Sequence, residues 1–167
     1  MEKEYEGPIW KCIESVYEDM LRIIKKVEFL KGTRRVKMEE YPPGALREAI
    51  INAVSHRNYI INADVRIFIY PDRIEIKNPG GLLPGVDLDD PDHVPRNPSI
   101  CSLLYDTGFI ERYGYGIQLI KNETENHPLC SVTFKPDPNR FAVIFKKISL
   151  WSLTIMINKS CNPQYLL

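Results

Sequence analysis

The sequence predicts an α+β domain, a two-layer sandwich with a mostly antiparallel sheet and helices on one face. Three observations carry this. Two pairs of alternating, β-branched segments read as hairpins: Ala63–Tyr70 with Arg73–Lys77, and Val132–Lys135 with Phe141–Lys147. Segments with helical spacing precede and separate them. The resulting helix–hairpin–helix–hairpin order lacks the regular βαβ alternation of a parallel sheet. With 167 residues and 44% hydrophobic content, one domain with a packed core is the default.

Taken in order, Ile9–Leu30 carries Ile9, Ile13, Val16, Tyr17, Met20, Ile23, Ile24 and Val27 at helical spacing, so it reads as one helix docking by one face. Arg35–Glu40 reads as a short strand, ended by Tyr41-Pro42-Pro43-Gly44. Ala45–Tyr59 is a helix whose wide apolar arc (Leu46, Ala49, Ile50, Ile51, Ala53, Val54) predicts near-complete burial. Pro71-Asp72 supplies the turn of the first hairpin. Leu82–Arg96 is long, acidic and broken by proline: a candidate lid, with a plain surface loop as the alternative. Asn97-Pro98 opens a helix over Ser99–Asp106, with Asn97 as cap. Gly114 and Gly116 precede the apolar helical run Ile117–Ile120, and Pro136–Arg140 turns the last hairpin. The expected units are a docking helix and strand over 1–40, a core over 41–147 and a tail over 148–167. In the tail, Trp151, Leu153, Ile155 and Ile157 alternate with Ser152, Thr154, Met156 and Asn158, which is strand-like. An edge strand, pairing with a second subunit, and the remnant of a downstream domain all stay open for it.

The residues that carry chemistry lie on the buried helix and at the glycines. At about 100° per residue, Glu48, Asn52 and His56 fall near 0°, 40° and 80°, one narrow polar stripe. An acid beside an amide can activate a water and hold a metal ion; a solvated helix face is the plain alternative. A chain leaving a strand through Asn78, Pro79, Gly80 and Gly81 can approach a ligand closely. Glycines opening a helix leave amides free to meet anionic oxygens. Singly, each glycine pair is more often a turn. Their order along the chain is what counts.

Composition narrows the function classes. Lys plus Arg is 22 and Asp plus Glu is 22, so bulk electrostatics argue against a nucleic-acid binder. The local run KGTRRVK (Lys31–Lys37) reads as a solvated loop. Cys12, Cys101, Cys130 and Cys161 form no C-x-x-C pair, which fits reduced cytoplasmic thiols. His56, His93 and His127 lack metal-ligand spacing. The start MEKEYEG has no signal-peptide pattern, and no apolar run spans a membrane. No G-x-x-x-x-G-K-[ST] occurs, which excludes a P-loop motor.

The order E-x-x-x-N helix, hairpin, glycine turn, long loop, Gly-x-Gly helix and final hairpin resembles the Bergerat-fold ATPases, the superfamily of DNA gyrase B, MutL mismatch-repair proteins and sensor histidine kinases. REAIINAVSHRNY, DRIEIKNPGGLLPG, PRNP and GFIERYGYGI are together similar to one branch, covering roughly Glu6 to Lys147. This branch is the ATPase-like domain in the C-terminal half of prokaryotic transcriptional regulators, commonly labelled as related to an ATP-dependent DNA helicase. The resemblance implies ATP and Mg²⁺ as cofactors and a weak ATPase as the open enzymatic question. It implies Glu48 as the acid orienting the hydrolytic water and Asn52 as the Mg²⁺ ligand. By the same resemblance Gly80, with Gly81 beside it, lies in the turn near adenine, and Gly114 and Gly116 meet the phosphates. His56 and Arg96 match this branch alone and carry no assigned role, like Asn97 beside Arg96. Asn78 stands where most of the superfamily has the aspartate that accepts a hydrogen bond from the adenine amine; its amide oxygen still accepts, but the charge is lost. The partners implied are an adenine nucleotide, a homodimer, and DNA only through domains absent from this chain, such as a Schlafen/AlbA-like domain or a winged helix. A binding or dimerisation module that has lost ATP is the alternative, favoured by Asn78.

Overall fold

The computed structural model describes residues 2–31, 33–89, 94–110 and 115–148. Gly114, His93 and the strand-like part of the tail lie outside them.

Helix α1 (Ile9–Ile23) starts after Pro8, which is extended, and its apolar stripe buries Ile13 and Met20. It packs on α2 (Pro43–Ser55). The helix expected to reach Leu30 stops at Ile23, which corrects the sequence reading. Lys26–Lys31 is instead strand β1, paired antiparallel with β2 (Arg34–Glu39) from Lys26↔Glu39 to Lys31↔Arg34. Cross-strand ion pairs Lys26–Glu39 at 3.1 Å and Lys37–Glu28 at 3.2 Å fit that register. Val27 stands four and seven residues, or one and two turns, from residues of the helical stripe, and this coincidence of phase hid the change from period 3.6 to period 2.

Helix α2 is buried along most of its circumference: Ala45, Leu46, Ala49, Ile50, Ile51, Ala53 and Ser55 are all enclosed. It ends at Ser55 rather than Tyr59, so His56 is the residue that closes it, its backbone N–H donating to Asn52 O at 3.0 Å. The Ser55 hydroxyl also turns inward, donating to Ile51 O at 2.8 Å.

The main sheet has four strands, β3 (Arg66–Ile69), β4 (Arg73–Pro79), β5 (Cys130–Asp137) and β6 (Arg140–Lys147), in the order β3-β4-β6-β5 and antiparallel throughout. The Pro71-Asp72 turn closes with Tyr70 N–H to Arg73 O at 2.8 Å. Between the hairpins run α3 (Pro98–Asp106) and α4 (Gly116–Glu125). Register pairs Ile74 with Phe145 and Ile76 with Val143, and these four side chains form the inner sheet face against Leu46, Ala49, Ile50 and Ile120. The result is the expected two-layer α+β arrangement. On the other sheet face Glu75 is clasped by Arg73 at 2.7 Å and Lys77 at 2.8 Å, and these cations, Arg73 foremost, hold its carboxyl below the usual range.

Phe145 is wholly enclosed at the centre of this core. Phe145→Ala should lower unfolding free energy by about 3–5 kcal/mol in urea titrations. Ile60→Ala, at a side chain 96% exposed, should change it by less than about 0.5 kcal/mol.

Candidate functional site

A cavity of about 770 Å³ opens between α2, the inner sheet face, the turn after β4 and the start of α4. That volume falls within the roughly 300–1,000 Å³ of small-ligand sites. Glu48, Asn52, His56, Asn78, Gly80, Gly81, Arg96 and Gly116 all line it. Gly114 lies outside the described residues.

The α2 stripe forms one wall. Asn52 Nδ2 donates to Glu48 Oε1 at 3.1 Å, which brings a carboxylate and a carboxamide, both oxygen-bearing groups, together on one wall. Gly116, the first residue of α4, sits directly against them: a Cβ there would lie 2.6 Å from Asn52 Nδ2 and would collide with Glu48 Oε1. A carboxylate and an amide therefore occupy the space at the mouth of a helix, where backbone N–H groups lack intrahelical partners.

The β4 turn forms the other end. Asn78 points inward from β4, 5% exposed, and its Oδ1 accepts no hydrogen bond among the described residues. Its neighbours on the lining are Ile76, Phe141 and Val143. A buried carbonyl oxygen without a donor costs about 1–3 kcal/mol, which a ligand donor would restore. Gly80 has φ +106°, a backbone region that side chains resist, and a Cβ would stand 2.8 Å from Asn58 Cβ. A Cβ on Gly81 would lie 2.8 Å from Pro138 C. At both positions the missing side chain makes room for the protein's own chain, so close packing alone explains these glycines.

The PRNP segment acts as a clasp. Arg96 Nη2 donates to Gly81 O, holding the turn. Asn97 does not cap α3 with its side chain as its position suggested. Its Nδ2 instead donates to Ser55 O and Arg57 O, each at 2.8 Å, and ties the end of α2 to the start of α3. The long loop is fastened at its far side, where Lys121 Nζ donates to Leu88 O at 2.8 Å and Asp89 Oδ1 at 2.7 Å.

Several lining residues escaped the sequence reading. Arg47, whose Nη2 donates to Phe109 O at 2.9 Å, adds a second cation to the lining besides Arg96. Glu123 of α4 reaches across to accept Ala45 N–H at 2.6 Å and seats its carboxylate over Gly44. Gly44 was legible only as a break in the chain, and nothing local announces that Glu123, 78 positions beyond Ala45, would cover it. Cys101 also lines the cavity, and burial pushes its thiol up, leaving it a protonated apolar wall.

Comparison with known proteins adds one family and one fold. No curated protein matches the chain. Among solved structures, the DIP2311 protein from Corynebacterium diphtheriae superposes with a TM-score of 0.74 over 93% of this chain at 16% identity, a likeness of fold. This chain spans 33% of the length of that one. A family model described as "Putative ATP-dependent DNA helicase recG C-terminal" (HATPase_c_4) matches residues 62–145, half of the 167, from before β3 into β6 and thus excluding α2. On that match the chain belongs to this ATPase-like family.

Proposed function

We propose that the cavity binds an adenine nucleotide with Mg²⁺, and that the chain is the nucleotide-sensing module of a transcriptional regulator whose DNA contacts are made by other domains. The observation that carries the reading is the buried Asn78 Oδ1, an unsatisfied acceptor in an apolar wall, where an amine of a flat base would fit. The phosphates would then extend toward the start of α4, whose first-turn N–H groups lack intrahelical partners and whose dipole favours anions.

The donor set at that end suits Mg²⁺. Among the described residues no three His, Cys, Asp or Glu side chains gather around a metal position. Mg²⁺ is commonly held by one or two protein oxygens together with phosphate oxygens and water, and the Asn52 amide oxygen with Glu48 offers that number. When bound, the ion would offset phosphate charge. On this reading Glu48, which lies beside Gly116, would accept a proton from a water at the terminal phosphate, and any hydrolysis would be slow and depend on that carboxylate. Titration calorimetry with ATP and Mg²⁺ tests the whole reading. Absence of binding heat would leave a dimerisation module without nucleotide.

Three outcomes follow from these roles. Asn52→Ala should weaken Mg-ATP binding at least about tenfold more than metal-free ATP binding, because a metal ligand and not a base contact is lost. Equal losses would remove Asn52 from the metal. Glu48→Gln should reduce any turnover by roughly 10²-fold or more while nearly preserving nucleotide affinity, as read by phosphate release and calorimetry on one preparation. Finally, the isolated chain, with 22 basic and 22 acidic residues, should show no submicromolar, salt-sensitive binding to duplex DNA in anisotropy titrations.

A further inference from the structure

Three asparagines around the cavity differ in how firmly their amides are held. Asn52 is oriented by its bond to Glu48 at 3.1 Å. Asn97 is oriented by two carbonyls at 2.8 Å each. Asn78 is more deeply buried than most polar residues, at 5% exposure, yet nothing among the described residues donates to its Oδ1. Its backbone is fixed in the ladder opposite Phe141, and Ile76, Phe141 and Val143 lie beside it on the cavity wall. The amide is therefore held in place but not held to one face.

The chemistry of that group differs from a carboxylate at the same place. An ionised carboxylate only accepts, so it selects a base edge that donates. A carboxamide carries an acceptor oxygen and two donor hydrogens, and half a turn about its last torsion exchanges them. Adenine offers an exocyclic amine as donor beside a ring nitrogen acceptor. Guanine offers a carbonyl acceptor beside a ring N–H donor, the reverse order. An amide without a second partner can meet either edge, and each orientation leaves no buried group unpaired.

Resting on the nucleotide reading of this cavity, we propose that Asn78 makes it a general purine-nucleotide site that accepts guanine and adenine nucleotides alike. The carboxamide turns to suit the base, and Asn78 is the residue that sets base selectivity.

The test is calorimetric titration of the chain with Mg-ATP, Mg-GTP and Mg-CTP, in the natural form and as Asn78→Asp. The expected result is ATP and GTP dissociation constants within about tenfold of each other in the natural chain, with CTP weaker than both. In Asn78→Asp the ATP preference should rise by roughly tenfold or more, chiefly through loss of GTP, whose carbonyl would face an acceptor. A natural chain preferring one purine by more than about tenfold overturns the proposal, as does a folded Asn78→Asp with an unchanged ratio. Should Asn78→Asp fail to fold, the ratio in the natural chain decides alone. Binding of none of the three nucleotides overturns the nucleotide reading itself, an outcome distinct from strong binding of ATP only.

Discussion

The contact between α2 and α4 is the constraint on which the remainder of the site depends. The two helices run antiparallel, and each presents a carboxylate to the first turn of the other. Glu123 of α4 sits over Gly44 and accepts the Ala45 N–H at 2.6 Å. Glu48 of α2, with Asn52, sits over Gly116 at the start of α4. A negative group at a helix N-terminus meets partial positive charge and unpaired N–H donors, so both contacts stabilise. At both places a Cβ would take the space of a carboxylate oxygen, so a larger residue would displace the carboxylate from the helix mouth. The same arrangement that fastens the helices thus brings an acid and an amide to the mouth of α4.

The cavity is what this packing leaves over. Its floor is the inner sheet face, where Ile76, Val143 and Phe141 stand in register on adjacent strands. One end is held by Arg96 on the Gly80–Gly81 turn and by Asn97 on the last carbonyls of α2. Both bonds stiffen the site; the Asn97 amide hydrogens are taken up by Ser55 O and Arg57 O, whereas Arg96 spends one of its five N–H donors on Gly81 O. Asn78 is different. It carries the cost of an unpaired buried acceptor in a position that is otherwise apolar. Among the described residues Tyr41 Oη and Arg57 Nε share that state, but of the three residues Asn78 alone lines the cavity.

The charges follow the same division. The chain is neutral overall, but two cations line the cavity, Arg47 bonded to the Phe109 carbonyl and Arg96 to the Gly81 carbonyl. The acidic loop is drawn to α4 by Lys121, an ion pair whose Asp89 side is 91% exposed and so contributes little to stability. Its weight lies in positioning: Lys121 also bonds the Leu88 carbonyl, fixing where the loop passes.

Local periodicity made most of the elements legible. The alternation of Arg73–Lys77 and Phe141–Lys147, the turn at Pro71-Asp72 and the apolar arc of α2 depend on neighbours a few residues apart, and the sequence by itself determined them. It also set Glu48 and Asn52, four residues apart, on one side of α2; His56 closes the helix with non-helical dihedrals, and its place on the cavity lining was decided by the tertiary structure. Strand β1 was not legible, because Val27 satisfies both periods and only pairing with β2 chose between them. Tertiary structure alone decided the clasp of Asn97 on Ser55, 42 positions back, and the cap of Glu123 on Ala45, 78 positions back. It alone decided that Gly80 and Gly81 make room for Asn58 and Pro138. Such contacts depend on where the chain crosses itself, and a residue's type records that it can bond or fit closely but not which distant group it will meet.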